Sequence, residues 1–430
     1  MADNAGSLAR WGQALTITPV TSPLRGRVAP PGSKSITNRA LLLAALAKGQ
    51  SLLTGTLRSD DTARMAEALA AMGVAIATPD ETSFRVTGTG HLKAPAAPLF
   101  LGNAGTATRF LTAAAALADG AVVLDGDAHM RKRPIGPLVT ALRELGVTVE
   151  APTGCPPVTV HGQGGISGGR VEIDAGLSSQ YVSALLMLAA CGRGPVEVAL
   201  RGAEIGARGY VDLTLAAMAK FGAKVEALSG SAWRVLPTGY TATDFLVEPD
   251  ASAATYLWAA EVLTGGAIDL GVAPRDFSQP DASAYEIIAK FPHMPAVIDG
   301  SQMQDAVPTL AVLAAFNRTP VRFTGIANLR VKECDRVSAL ATELSRIRPG
   351  LGAEEGDDLL VASDPGLAGQ TLPTRIETYA DHRIAMSFAL AGLKIGGITI
   401  LDPGCVAKTY PGYWDALVGL GVEISKIAQD

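Results

Sequence analysis

Six times along this chain a polar stretch able to cap a helix runs into an apolar helix built largely from Ala, Leu and other small residues. The copies are PGSKSITNRALLLAALAKG (31–49), LGNAGTATRFLTAAAALADG (101–120), SSQYVSALLMLAACGRG (178–194), DASAATYLWAAEVLTGG (250–266), DAVPTLAVLAAFNR (305–318) and DHRIAMSFALAGLKIGG (381–397). A helix that is apolar all round has to be covered all round. Between the copies lies a second recurring unit: a strand, a polar turn and an amphipathic helix closing on Gly and a β-branched run. SDDTARMAEALAAMGVAIA (59–77), RPIGPLVTALRELGVTVE (133–150) and GYVDLTLAAMAKFGAKVE (209–226) show it well, and only the stretch around YEIIAKFPHMPAVI (285–298) is degenerate. The period is about 70 residues, too long for a solenoid, so each unit reads as a small α/β subdomain. Residues 13–20 read as a first strand, and PTGYTATDFLVEPD (237–250) as the crossover between two three-unit halves.

At 430 residues the chain can bury large cores and is expected to form two domains. A net charge of −5 argues against a nucleic-acid partner, which selects for basic excess. Cys155, Cys191, Cys334 and Cys405 form no CxxC pair, which suggests neither zinc nor a disulfide framework and fits a reducing compartment. No apolar run reaches the length of a membrane span, and residues 1–20 lack the pattern of a signal or transit peptide. The expectation is a cytoplasmic protein, working as a monomer, with no membrane or nucleic-acid partner.

The starts of the buried helices carry the chemistry. A helix N-terminus offers unpaired N–H groups and the positive end of the macrodipole, so it attracts anions. Lys34, Ser35, Asn38 and Arg39 are read as lying in a Gly-containing loop at the first such start; Asn103 to Thr106 offer backbone N–H groups with a permissive Gly105; Ser178, Ser179 and Gln180 offer neutral donors. Separate turns add HMRKRPI (129–135), NLRVKECDR (328–336) and VAKTYPGYW (406–414). The plainer reading of Arg330, Lys332 and Arg336 is surface charge paired with Glu333 and Asp335. The Gly/Asp/Glu-rich loop 349–358 looks solvated. GSKS lacks P-loop spacing, no GxGxxG follows a strand, and no HExxH or paired His supports a metal. His382 reads as an orienting group rather than a proton carrier.

PGSKSITNRALLLAALA, LFLGNAGTATRF, RPIGPL, SSQYVSALLM, DASAATY, NLRVKECDR, DHRIAM and AKTYPGYW together resemble the 5-enolpyruvylshikimate-3-phosphate synthase family, from about Leu15 to Leu417. That resemblance implies a two-domain α/β enolpyruvyl-transferase fold of six βαβαββ repeats, three per domain around buried parallel helices. Residues 1–31 and 247–430 would make one domain, residues 32–246 the other, with the active site in the cleft between them. It further implies transfer of the enolpyruvyl group of phosphoenolpyruvate to the 5-hydroxyl of shikimate 3-phosphate, in the shikimate pathway to aromatic amino acids, with no cofactor and no metal. The family's phosphonate inhibitor is glyphosate.

Carried over by motif, Lys34 would touch both substrates. Ser35, Arg39, Asn328 and Lys332 would hold shikimate 3-phosphate, Ser178 and Ser179 its phosphate, and Gln180 would lie against its ring and also meet phosphoenolpyruvate. Asp305, expected as the first residue of its helix, would be the base at the 5-hydroxyl. Gly105 and Arg133 would hold the phosphate of phosphoenolpyruvate, Arg336 and Arg383 its carboxylate, and Lys408 would close over it. Glu333 and Lys408 both remain candidates for proton traffic at C3. Across the cleft, seven cations (Lys34, Arg39, Arg133, Lys332, Arg336, Arg383, Lys408) would repel one another until substrate arrives. Two departures stand out. Ala207 occupies a position where the family usually has a phosphate-binding Ser, and Thr108-Arg109-Phe110 replaces the common Met-Arg-Pro. The alternatives are the sister transferase acting on a UDP-amino sugar, UDP-N-acetylglucosamine enolpyruvyl transferase, and a non-catalytic phosphometabolite-binding protein on the same repeat.

Overall fold

A computed structural model describes residues 11–174, 176, 178–202 and 207–427. The chain divides into two compact units, one of Gly32–Glu248 and the other of the described residues on either side of it. The second crossing falls at Glu248–Pro249, slightly beyond the expected Val247. Backbone bonds secure both crossings: Ser33 N donates to Glu248 O at 2.9 Å within one unit, and Asp250 N to Pro31 O at 2.8 Å within the other.

In the unit Gly32–Glu248 the helices are α1 (Lys34–Leu46), α2 (Asp60–Ala71), α3 (Gly105–Ala114), α4 (Gly136–Glu144), α5 (Ser179–Ala189) and α6 (Gly209–Lys220). Helices α1, α3 and α5 are covered almost along their whole length, as their lack of a polar face requires, whereas α2, α4 and α6 bury one face. Three sheets surround them and share one pattern. Val196–Arg201 pairs parallel with Gly169–Asp174 and antiparallel with Ala232–Val235, which pairs antiparallel with Val225–Ser229. Ala121–Asp125 and Ala47–Thr54 take the same central place in the other two sheets. One continuous apolar core fills the space between them. At about 1.5–3 kcal/mol per fully buried large aliphatic side chain, residues such as Leu41, Leu111 and Leu185 supply the main stabilisation.

Helix α1 starts at Lys34 with Ser33 as its cap, the Ser33 hydroxyl accepting from Ile36 N. Lys34, Ser35, Asn38 and Arg39 are therefore helical residues, not the loop residues expected from sequence. Gly32 is required by close approach: a Cβ there would lie 1.9 Å from Gly55 O. The helix also ends earlier than Gly49, because Ala47 opens the strand Ala47–Thr54 directly.

The other unit contains α7 (Ala251–Thr264), α8 (Ala284–Ile288), α9 (Val307–Ala314), α10 (Arg336–Ile347), α11 (His382–Gly392) and α12 (Tyr413–Gly419). Helices α7, α9 and α11 are the buried ones. Val321–Thr324 is central to a sheet of the same pattern as before. In the next sheet Gly396–Leu401 pairs parallel with Thr371–Ile376 and antiparallel with the N-terminal strand Ala14–Ile17, which pairs in turn with Ile424–Lys426. The degenerate unit is reduced to a parallel pair, Arg25–Arg27 with Ala267–Asp269, followed by 3₁₀ turns and the short α8. Arg25–Arg27 went unread in the sequence because its residues are all exposed and carry no apolar alternation. The loop expected at 349–358 contributes the strand Gly352–Glu355, paired with Asp358–Val361.

Candidate active site

Within Gly32–Glu248 the candidate residues gather at the N-terminal ends of the buried helices. Lys34 Nζ lies 3.5 Å from Asp61 Oδ2, with both side chains buried, a partner on α2 that its motif does not reveal. Arg39 donates through Nε to Thr214 Oγ1 (2.7 Å), through Nη1 to Ser35 O (2.9 Å), and through Nη2 to Ser183 Oγ (3.3 Å) and Tyr210 O (3.1 Å). Burial lowers its pKa to about 10, and its guanidinium stacks 5.1 Å from the centre of the Phe110 ring. Most of its five donors are thus engaged inside the protein, joining α1, α5 and α6.

Helix α3 has no side-chain cap, leaving its start open to an anion. Arg133 donates from Nη1 to Asn103 Oδ1 at 3.0 Å and crosses directly in front of Gly105, where a Cβ would stand 2.8 Å from the guanidinium. On α5, Ser178 is the cap and accepts from Gln180 N at 3.3 Å. The Gln180 side chain is fixed at both ends: Arg109 Nη1 donates to its Oε1 (2.7 Å), and its Nε2 donates to Thr106 Oγ1 (3.2 Å). Arg109 is a neighbour of the candidate Gln180 that the sequence did not disclose, since nothing in its local spacing points to residue 180.

Ala207 is buried with a left-handed φ of +57°, and Arg208 turns to the Ala232–Val235 hairpin, stacking 5.8 Å from the Trp233 ring centre and donating to Gly230 O. Residues 203–206 lie outside the described residues.

In the other unit Asp305, Glu333, Arg336, Asp381, Arg383 and Lys408 form a single network. Arg336 donates to Asp305 Oδ1 (3.0 Å), Glu333 Oε2 (2.6 Å) and Asp381 Oδ2 (2.7 Å). Arg383 Nη2 donates to Asp305 Oδ2 at 2.7 Å, and Lys408 Nζ pairs with Glu333 Oε1 at 3.0 Å. Asp381 caps α11, accepting from Arg383 N at 2.9 Å. Burial works against the charge on Arg336 and Arg383, but the carboxylates, led by Asp381 for the first and Asp305 for the second, raise both pKa values above the ordinary arginine value. The three cations meet three carboxylates. The bare cationic face expected from sequence is corrected here, because each of these charges already has a partner.

Of those carboxylates, Asp305 is the one open to a ligand, its side chain 22% exposed against 6% for Glu333 and 0% for Asp381. It is not the first residue of its helix: α9 begins at Val307 with Ala306 as cap. The turn is held by buried Asp281, which accepts from Ala306 N (3.2 Å) and Ser252 Oγ (3.1 Å). Lys332 Nζ donates to Gln304 Oε1 at 3.3 Å. Asn328 sits in the 3₁₀ turn Ala327–Val331, its Oδ1 buried without a hydrogen-bond partner among the described residues. His382 Nδ1 lies 3.6 Å from Asp381 Oδ1, deep in the core. Arg330 stands apart from the site. It pairs with Asp335, Glu354 and Asp357, all at 2.8–2.9 Å, and so pins the 349–358 segment that looked merely solvated.

Two units of repeated α/β subdomains carrying these candidate residues match the enolpyruvyl-transferase class that the resemblance implies, and comparison with known proteins shows it. The profile of the family EPSP synthase (3-phosphoshikimate 1-carboxyvinyltransferase) matches residues 19–417. The chain is 72% identical over 408 residues to a 3-phosphoshikimate 1-carboxyvinyltransferase of Rhizobium etli, covering 95% of this chain and 97% of that one. It is 70% identical to one from Pseudomonas syringae, covering 96% and 99%. A solved EPSP synthase of Acinetobacter baumannii superposes with a TM-score of 0.77 at 27% identity, over 96% of this chain and 100% of that one. The chain belongs to the 3-phosphoshikimate 1-carboxyvinyltransferase family.

Proposed function

We propose that this enzyme transfers the enolpyruvyl group of phosphoenolpyruvate to the 5-hydroxyl of shikimate 3-phosphate, releasing phosphate, as a step toward aromatic amino acids. One observation carries the reading: Asp305, the most open acid of the network, is held between Arg336 and Arg383. Two arginines so placed suit a carboxylate, and the acid between them suits a hydroxyl.

In the addition half, Asp305 takes the hydroxyl proton as the oxygen bonds to C2 of phosphoenolpyruvate, and C3 gains a proton. Glu333 accepts from Arg336 at 2.6 Å and lies 3.0 Å from Lys408 Nζ, which brings the two candidate proton carriers together as one pair. In the elimination half the C2–O bond to phosphate breaks, C3 loses a proton to the same pair, and phosphate departs with the proton that Asp305 took from the hydroxyl, which restores the ionised base. Arg336 and Arg383 hold the carboxylate of phosphoenolpyruvate, while Lys34, Gly105, Gln180 and Arg133 receive its phosphate side. Ser35, Arg39, Ser178, Ser179, Gln180, Asn328 and Lys332 bind shikimate 3-phosphate, and the orphaned Asn328 Oδ1 supports that place for it.

The ligands proposed for each substrate are drawn from both units. The enzyme acts as a cytoplasmic monomer; among the described residues no helix is long and apolar enough to cross a membrane. With both substrates in deuterium oxide, the wild-type enzyme should place deuterium at C3 of the product. Lys408→Met should slow that exchange at least about a hundredfold, the usual scale for loss of a general acid. Exchange at the wild-type rate would remove Lys408 from the proton path.

A further inference from the structure

Immediately before Asp381 the backbone does something costly. Tyr379 and Ala380 are consecutive residues in the left-handed region, at φ +56° and +53°, and neither is Gly. In that region Cβ crowds the following carbonyl, so such residues persist only where the surroundings impose them. The surroundings here are specific. Tyr379 Oη donates to Glu343 Oε1 at 2.8 Å, and Glu377 N donates to Glu343 Oε2 at 3.1 Å. Tyr379 N donates to Glu377 Oε1 at 3.3 Å, and Asp381 N to Thr378 O at 2.8 Å. Glu343 itself is fully buried on α10, an unusual place for a carboxylate, with Arg346 Nε also 3.2 Å from its Oε2.

Helix α10 begins at Arg336, so it touches this segment at two points: Arg336 holds the Asp381 carboxylate, and Glu343 holds the Tyr379 hydroxyl. The two contacts fix where the turn delivers Asp381. Asp381 in turn accepts from Arg336 Nε and caps α11 through Arg383 N.

We propose that Tyr379, anchored on Glu343, is a positioning residue that holds the strained Tyr379–Ala380 turn so that Asp381 presents Arg336 and Arg383 to the carboxylate of phosphoenolpyruvate. This rests on the assignment of those two arginines made above. Tyr379 does not touch substrate. Its loss is felt through the aim of the arginines.

The test is steady-state kinetics on Tyr379→Phe, on Tyr379→Phe combined with Ala380→Gly, and on Arg383→Lys, with folding of each checked by circular dichroism. Tyr379→Phe should raise KM for phosphoenolpyruvate about fivefold or more while that for shikimate 3-phosphate changes less than about twofold. Gly adopts the left-handed conformation without a Cβ clash, and Ala380 is exposed, so the double variant should recover most of the loss. Arg383→Lys should raise KM for phosphoenolpyruvate. If it does while Tyr379→Phe matches wild type, the positioning role is overturned and the arginine assignment stands. Equal weakening of both substrates by Tyr379→Phe, without rescue by Gly, would also overturn it, showing only a general structural role. If Arg383→Lys leaves KM for phosphoenolpyruvate unchanged, the site assignment falls and the proposal falls with it.

Discussion

Arg336 Nη1 lies 3.0 Å from Asp305 Oδ1, so the residue assigned as base is held by an arginine assigned to the other substrate. The arginines would exchange an internal carboxylate for that of phosphoenolpyruvate as it binds, releasing Asp305 toward the hydroxyl. Asp305→Ala removes that competing acceptor but touches no ligand of the shikimate phosphate or carboxylate. By calorimetry, shikimate 3-phosphate should bind Asp305→Ala within about tenfold of wild type. Weakening well beyond that would make Asp305 chiefly a binding group.

Gly105→Ala puts a Cβ 2.8 Å from the guanidinium of Arg133, closer than carbon and nitrogen tolerate, so the arginine must move. The variant should raise KM for phosphoenolpyruvate and weaken glyphosate more strongly, with shikimate 3-phosphate little affected. Unchanged values for both ligands would place Gly105 and Arg133 outside the site.

Arg109→Leu deletes the charged bond to Gln180 Oε1, leaving that side chain held only through Thr106. A hydrogen bond to a charged group contributes about 1.5–3 kcal/mol, so kcat/KM should fall roughly tenfold to a hundredfold. Activity within twofold of wild type would show that Gln180 needs no such support.

These residues also mark where the sequence stops being informative. The buried helices were legible because an Ala- and Leu-rich helix with no polar face has one possible environment, and the reduced fourth unit was legible because its segment 285–298 lacks the amphipathic period. The motif residues could be named, and so could partners near in sequence, Glu333 for Arg336 and Asp335 for Arg330, but not the distant ones. Lys34 with Asp61, Arg109 with Gln180 and Glu343 with Tyr379 join separate elements through tertiary packing, which leaves no local pattern. The start of α9 was misplaced for a similar reason: Asp281, distant in sequence, holds Ala306 N and sets the turn ahead of the helix.

Burial raises the pKa of Glu343 above its ordinary value of 4.5, against the opposing bonds from Tyr379 and Glu377 N and the charge of Arg346. An acid whose pKa is higher folded than unfolded stabilises the fold fully below the unfolded value, and that contribution disappears as pH rises through the folded value. Wild type should therefore lose stability relative to Glu343→Gln as pH climbs from about 4.5 upward through the raised value, and urea melts along that range would show it. A stability difference independent of pH would mean that Glu343 ionises normally in the folded protein.

The central claim is that Asp305 and its arginines carry out enolpyruvyl transfer, and release of phosphate from phosphoenolpyruvate reports it most directly. With wild-type enzyme, release should require shikimate 3-phosphate and match product formation one for one. Asp305→Ala, folded and still binding shikimate 3-phosphate, should release almost none. Phosphate release without shikimate 3-phosphate, or turnover by Asp305→Ala at about a tenth of the wild-type rate or more, would contradict the account.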